Sequence, residues 1–111
     1  MSRGWVYCLS NKSMPGLLKI GQTKNSPATR ADQLFSSGVP TPFKIEFAKS
    51  VENYDKKEKI IHSLLEKFSV RVNPKREFFE MNVDDAKLIF DLMDGDEYKE
   101  EIVKDCTNIK D

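Results

Sequence analysis

Five polar side chains fall beside apolar stretches of the sequence, where they could do chemistry: Tyr7, Lys19, Arg30, Glu58 and His62. Hydrolysis of a phosphodiester needs a hydroxyl or base that activates water, a cation on the phosphate oxygens and a carboxylate that holds a divalent metal. These residues can fill those parts, and a lone carboxylate suits Mg²⁺. Spacing alone leaves an alternative open, in which the charged residues are solvated at the surface and Tyr7 is a core aromatic.

The first two of these residues lie in segments that predict a β-hairpin. Residues 4–9, which contain Tyr7, and residues 17–21, which contain Lys19, are rich in apolar and β-forming side chains. The linker between them, residues 10–16, is dense in Ser, Asn, Pro and Gly, which favour turns. We therefore expect Tyr7 and Lys19 on neighbouring strands.

A helix that carries Arg30 is predicted directly after the hairpin. Ser26 is a typical N-cap, Pro27 suits the first helical position, and Gly38 after Ser37 is a typical stop. The predicted apolar arc consists of Ala28, Ala31, Leu34 and Phe35. Arg30 lies at the edge of this arc, so that its stem can pack while its guanidinium reaches into a cleft.

A strand and a second helix follow. Residues 43–51 alternate apolar and polar side chains, and we expect them to complete a three-stranded antiparallel sheet with the hairpin. Residues 53–68 predict an amphipathic helix. Its predicted apolar face consists of Ile60, Ile61, Leu64, Leu65 and Phe68. Glu58 and His62 are four residues apart and stack on one side of the helix, just beside that face.

The last third of the chain predicts three shorter elements. Residues 69–76 form a basic connector and residues 77–81 an edge strand. Residues 83–93 form a third helix, which begins after the N-cap Asn82. From residue 97 to about residue 105 we expect a short acidic helix that frays toward the end of the chain.

Length and composition bound the class of protein. The 111 residues, 39% hydrophobic and 32% charged, are typical of one soluble domain. We expect an α+β fold with a central three-stranded antiparallel sheet flanked by helices, an extra short edge strand and a C-terminal helix. We expect residues 1–94 to form the body of this domain and residues 95–111 to form an acidic extension. No segment is apolar enough for a signal peptide or a membrane span, which predicts a cytoplasmic location and no membrane partner.

The net charge of zero hides an asymmetry along the chain. Residues 1–82 carry 14 Lys and Arg against 8 Asp and Glu, whereas residues 83–111 carry 4 against 10. A basic body could bind a polyanion such as nucleic acid. The alternative is that the two signs of charge are merely solvated on different faces, and charge alone does not decide between them.

Short motifs in a fixed order resemble a known nuclease superfamily. They are Val6-Tyr7, Lys19-Ile20-Gly21, Arg30 and Glu58. This order resembles the GIY-YIG nucleases, and longer segments resemble one small phage and bacterial branch, named for an open reading frame of bacteriophage T5. Those segments are residues 15–23, 38–43, 58–62 and 76–79. The resemblance covers about residues 4–81.

The resemblance implies a GIY-YIG-like domain that cuts DNA with one divalent metal, Mg²⁺ or Mn²⁺, in a bacterial or phage-infected cell. It implies that Tyr7 is the first-motif tyrosine, Arg30 the helical arginine and Glu58 the metal ligand. His62 would relay a proton or contact phosphate, or else make a structural hydrogen bond. The residues expected to contact DNA are Lys24, Asn73, Lys75 and Arg76, although Arg76 and Glu77 could instead form an ion pair. We expect a monomer or a weak homodimer.

One departure from the superfamily pattern bears on activity. Lys19 stands where the second motif has a tyrosine. A lysine there could contact phosphate, or act as a base if burial lowered its pKa, but the phosphate contact requires the charge. Tyr7 is therefore the better candidate to orient the water or act as base. Two other hypotheses remain: a non-cleaving DNA-binding module, and an inhibitory factor that acts through the acidic C-terminal piece.

Overall fold

The computed structural model describes residues 3–35, 39–68, 70–73 and 77–99. In that part of the chain the elements, in order, are β1 (Arg3–Ser10), β2 (Leu17–Thr23), α1 (Pro27–Leu34), β3 (Lys44–Glu52), α2 (Tyr54–Phe68), β4 (Val70–Asn73), β5 (Phe78–Glu80), α3 (Val83–Phe90) and β6 (Asp96–Glu97). The strands form one antiparallel sheet in the order β4-β5-β2-β1-β3-β6. The predicted α+β class is confirmed.

The predicted hairpin and third strand form the centre of this sheet. β1 pairs with β2 on one side and with β3 on the other, so that Tyr7 lies opposite Gly21 and also opposite Ala48. Side chains alternate between the faces of a sheet, so successive residues of β1 serve two different cores. The central three-stranded antiparallel arrangement is thus as predicted from the alternating sequence pattern.

The two faces of the sheet are covered by different helices. Val6 and Cys8 of β1 point to the larger core, which α2 and α3 cover with Ile61, Leu65 and Phe90, among others. The next residues of the same strand, Tyr7 and Leu9, point to the smaller core with Ala31 of α1. Tyr7 therefore lies on the α1 face of the sheet, while α2 packs against the opposite face.

The predictions for residues 69–81 were partly wrong. Val70–Asn73 form a strand rather than a connector, and β5 lies between β4 and β2 instead of at the edge. Phe79 of β5 is fully buried in the larger core. The basic residues of this segment suggested a solvated connector, whereas strand pairing is decided by partners that are distant in sequence.

The C-terminal extension also differs from the prediction at its start. Asp96–Glu97 form β6 on the outer edge of β3, where a helix from residue 97 was expected. The Tyr98 amide then donates a hydrogen bond to the Ala48 carbonyl oxygen at 2.9 Å. A free strand edge offers hydrogen bonds that an isolated sequence pattern does not reveal. The rest of the extension, residues 100–111, lies outside the described residues.

The buried face of α2 is rotated from the predicted one. Ile60, expected in the core, is 50% exposed, whereas Glu58 is 5% and His62 is 8% exposed. The buried stripe instead runs through Tyr54, Glu58, Ile61, His62 and Leu65. Glu58 and His62 were predicted beside the apolar face because only apolar residues were assigned to that face.

The other helices are shorter than predicted, and their faces differ in detail. α1 ends at Leu34, and the expected stop at residues 37 and 38 lies outside the described residues. Ala28 and Phe35, expected in its apolar arc, are exposed. α3 ends at Phe90 rather than residue 93. Among the described residues, no helix is both long and apolar enough to cross a membrane.

Candidate functional site

The candidate site is centred on Gly21, where a side chain has no room. A Cβ atom on Gly21 would lie 2.5 Å from the Tyr7 hydroxyl oxygen and 2.9 Å from Glu77 Oε1. Tyr7 and Gly21 are cross-strand partners, which explains how the ring comes to lie over the glycine. The glycine thus allows a hydroxyl and a carboxylate to meet over the backbone of β2.

Helix α1 brings Arg30 to the Tyr7 hydroxyl. The helix begins after the predicted N-cap Ser26, whose hydroxyl accepts a hydrogen bond from the Thr29 amide at 3.1 Å. One turn later, the Arg30 guanidinium hydrogen-bonds the Tyr7 side chain. Arg30 is half-buried, so its charge is partly shielded from water while it still borders solvent.

The environment of Tyr7 keeps its hydroxyl neutral at physiological pH. Burial raises the pKa of Tyr7 above its ordinary value of 10.0, and the carboxylates of Glu77 and Glu58 raise it further. Arg30 opposes this rise through its hydrogen bond and its charge. Because guanidinium can only donate, the Tyr7 oxygen accepts from Arg30 and its O–H remains available as a donor.

Lys19 lies two residues before Gly21 on the same face of β2 and forms an ion pair with Glu77. Its Nζ is 3.7 Å from Glu77 Oε1 and 5.1 Å from the centre of the Phe78 ring. The Lys19 side chain is 11% exposed. Burial lowers the pKa of Lys19 below 10.5 and the nearby Arg30 lowers it further, while Glu77 opposes the shift. The lysine is therefore a desolvated cation within the site.

Helix α2 brings Glu58 and His62 to the same site from the other face of the sheet. Among the described residues, the pairing of β2 with β5 ends at Lys19. Helix α2 contacts β2, and its His62 reaches Ile20, the residue after Lys19. The carboxylate of Glu58 lies close enough to act on the charges of both Tyr7 and Lys19. The Glu58 carboxylate thus meets residues of the α1 face at this edge.

His62 is anchored to the backbone of β2. Its Nε2 is 2.8 Å from the Ile20 carbonyl oxygen and 3.7 Å from Glu58 Oε2. A carbonyl oxygen can only accept, so Nε2 carries a hydrogen and donates a hydrogen bond to the Ile20 carbonyl oxygen. The amide of the same residue, Ile20, donates to the Glu77 carbonyl oxygen at 3.1 Å. The geometry corresponds to the structural hydrogen bond that was one of the two expectations for His62.

The residues present fit a divalent metal. One ligand atom from each of Glu58, His62 and Glu77 lies within 4.8 Å of the others. Carboxylate oxygens are the ligands that Mg²⁺ and Mn²⁺ prefer. The two carboxylates come from different elements and form a donor set suited to such an ion, while the cations Lys19 and Arg30 nearby suit a phosphate.

Most of the predicted site residues converge, and one contributor was missed. Tyr7, Lys19, Arg30, Glu58 and His62 meet around the edge of β2. Glu77 was not among the predicted site residues, although its motif, residues 76–79, had been singled out from the sequence. That motif was the signal in the sequence that could have pointed to Glu77, but the position of Glu77 in the site depends on where β5 lies in the sheet.

The structure says less about the four residues that were expected to contact DNA. Lys24 is exposed just after β2. The backbone of Asn73 ends β4 opposite Phe78, the residue after Glu77. Lys75 and Arg76 lie outside the described residues. The expectation that these four residues bind DNA stays a prediction.

Comparison with known proteins gives one match. The model of the T5orf172 domain matches residues 4–94, which include every residue of the candidate site. Neither the curated proteins nor the solved structures contain a match to the chain. The match extends beyond the resemblance seen in residues 4–81 and includes α3.

Proposed function

Because this chain belongs to the T5orf172 domain family, we propose that it is a metal-dependent DNA endonuclease that hydrolyses phosphodiester bonds at the site around Gly21. The observation that carries the proposal is the meeting of Tyr7, Lys19, Arg30 and Glu58 at one edge of β2. These residues come from four elements, β1, β2, α1 and α2. The resemblance to GIY-YIG nucleases implies a role for Tyr7, Arg30 and Glu58, and Lys19 stands where those nucleases have their second tyrosine.

In the proposed mechanism, Arg30 and Lys19 bind the non-bridging oxygens of the scissile phosphate. Arg30 hydrogen-bonds the Tyr7 hydroxyl and lies near Lys19, and charge develops on the phosphate oxygens as the water oxygen attacks phosphorus. Arg30 contributes a planar group that can make two parallel hydrogen bonds, whereas Lys19 contributes a point charge in a poorly solvated position. Together they hold the phosphate and favour the transition state over the bound substrate.

Tyr7 orients the attacking water in this mechanism and does not act as the base. Its raised pKa makes the phenolate a minor form near neutral pH. The hydrogen bond from Arg30 fixes the phenol oxygen, which leaves the O–H to hold the water. A neutral phenol that is held on one side positions a nucleophile at little entropic cost.

Glu58 would hold the divalent metal, Mg²⁺ or Mn²⁺. The carboxylate is 5% exposed and lies at the edge of β2, close to Tyr7 and Lys19. A metal bound there would lower the pKa of the attacking water, so that its proton could pass to solvent, and would supply positive charge beside the phosphate and the leaving oxygen. The chain itself contributes the position of the carboxylate, because Glu58 lies in the buried stripe of α2.

The test of this function is the cleavage of supercoiled plasmid DNA. We expect the wild-type protein to nick the plasmid with Mg²⁺ or Mn²⁺ and to stop when EDTA removes the metal. Glu58→Gln keeps the shape of the side chain, so we expect it to fold normally and to lose the metal-dependent cleavage. Cleavage by Glu58→Gln at the wild-type rate, or an inactive wild-type protein that nevertheless binds DNA, would contradict the proposal.

The dependence of the rate on pH tests the role of Lys19. A lysine is charged only below its pKa, and the pKa of Lys19 is lowered by burial. If the ammonium binds phosphate, kcat/KM falls as the pH rises through this lowered pKa. Lys19→Arg should lack the alkaline decline, because arginine stays charged throughout. The ratio of the wild-type rate to the Lys19→Arg rate, measured from neutral to alkaline pH, should therefore decrease; a ratio that increases would identify Lys19 as a base.

The second candidate function is a non-cleaving DNA-binding module on the same fold. The ion pair between Lys19 and Glu77 favours it, since a lysine occupies the place of the second tyrosine and its charge is already balanced by a carboxylate. Salt-dependent DNA binding without any metal-dependent cleavage would support this function in place of the first.

A further inference from the structure

We infer that Glu77 is a second carboxylate ligand of the divalent metal, and that the metal competes with Lys19 for it. The inference rests on the proposed function for the presence of the metal at Glu58. Glu58 lies on α2 and Glu77 on the turn before β5, so the two carboxylates belong to elements that are far apart in sequence. A metal held by both would join these elements at the edge of β2.

The distances at this edge support the two glutamates as a pair. Carboxylate oxygens of Glu58 and Glu77 lie within 4.8 Å of each other. Glu77 Oε1 also lies 2.9 Å from the position that a Cβ on Gly21 would occupy, which is 2.5 Å from the Tyr7 hydroxyl. The second carboxylate is therefore beside the group that orients the water in the proposed mechanism.

His62 is the third group of this cluster, and its hydrogen bond argues against a role as ligand. The nitrogen near Glu58 is Nε2, which donates to the Ile20 carbonyl oxygen at 2.8 Å. A protonated ring nitrogen has no free lone pair for a metal. Nε2 is therefore not a ligand, and the carboxylate oxygens of Glu58 and Glu77 are donors that suit Mg²⁺ and Mn²⁺ better than zinc.

The backbone of Glu77 is held in a conformation that few residues other than glycine adopt. Its φ is 62°, in the left-handed region, which is strained for a residue that has a Cβ atom. The Ile20 amide, which donates to the Glu77 carbonyl oxygen, fixes this peptide against β2. The fold thus holds the Glu77 backbone against β2, beside Glu58.

Lys19 competes with the metal for the Glu77 carboxylate. Its ammonium lies 3.7 Å from Glu77 Oε1, so a divalent cation at Glu77 must share that carboxylate with the lysine or displace it. A lysine released in this way becomes available to the phosphate. Metal binding and phosphate binding are then coupled through one ion pair.

The test is calorimetric titration of the intact protein with Mn²⁺ in the absence of DNA. Glu77→Gln should weaken Mn²⁺ binding about tenfold or more, while Lys19→Met should strengthen it several-fold because a competing charge is removed. Glu80→Gln is the matched control, because Glu80 is an exposed carboxylate on β5, three residues after Glu77. We expect it to bind Mn²⁺ as the wild type does, and thermal melts confirm that each variant is folded.

The possible results separate this inference from the proposed function. If Glu77→Gln binds Mn²⁺ as tightly as Glu80→Gln while Glu58→Gln does not bind, then Glu77 is not a ligand and the endonuclease proposal still stands. Weaker binding by Lys19→Met would also overturn the inference, since it would show that Lys19 supports the metal. If the wild-type protein neither binds Mn²⁺ nor cleaves plasmid, both proposals fail together.

Discussion

Arg30→Ala is expected to lower kcat for plasmid cleavage about a thousandfold, because one preorganised donor to a developing oxyanion contributes roughly that much. The guanidinium hydrogen-bonds the Tyr7 hydroxyl and is the planar cation of the site. Its removal leaves the phosphate without that charge and leaves a buried phenol without its donor. The rate is measured with saturating Mg²⁺ and saturating DNA, so that weaker DNA binding does not contribute.

Arg30→Lys and Tyr7→Phe are the comparisons for this variant. Arg30→Lys keeps the charge but loses the fork of parallel donors, so its kcat should lie between those of the wild type and Arg30→Ala. If Arg30 acts partly through Tyr7, the double variant of Arg30→Ala and Tyr7→Phe should lose less than the two single losses combined. Cleavage by Arg30→Ala within about threefold of the wild type would contradict the assignment.

Gly21→Ala is expected to reduce kcat about a hundredfold and to destabilise the fold by about 1–3 kcal/mol, the usual range for overpacking a core. The new methyl group would lie 2.5 Å from the Tyr7 hydroxyl oxygen and 2.7 Å from Tyr7 Cζ. Tyr7 is 1% exposed, so its ring cannot simply swing into solvent. A displacement of about 1 Å at a reacting group is enough for such a loss of rate.

Gly4→Ala separates the local effect of that methyl group from a general loss of stability. A Cβ on Gly4 would lie 2.7 Å from Tyr54 Cδ1, in the larger core on the other face of the sheet. We expect Gly4→Ala to lower the urea midpoint to a similar extent while it keeps nearly the wild-type kcat at a temperature where it is folded. Equal losses of kcat in the two variants would argue that Gly21 affects only stability.

Local signals in the sequence were sufficient for the elements that carry Tyr7, Lys19 and Arg30. The turn-rich linker and the β-forming segments on either side of it predicted the hairpin, and the structure has β1 and β2 in those places. Ser26 was predicted as the N-cap of the helix with Arg30, and its hydroxyl accepts from the Thr29 amide. Such features depend on neighbours a few residues apart, which the sequence displays directly.

The two glutamates show where local signals stop. From its polarity, Glu58 was predicted at the rim of the apolar face of α2. It is buried instead, because α2 turns this side toward β2 and the candidate site. Glu77 was placed on an edge strand, but β5 lies between β2 and β4, which brings the carboxylate to Lys19. In both cases the outcome depends on how an element packs against distant parts of the chain.

The sequence by itself therefore determined the α+β class, the central strands and the family. Only the tertiary structure decided that Glu58 and Glu77 share an edge of β2 with Tyr7, and that His62 donates to the Ile20 carbonyl oxygen. The physical reason is that strand order and helix orientation follow from burial and hydrogen bonding between segments far apart in sequence. The site lies where these segments meet.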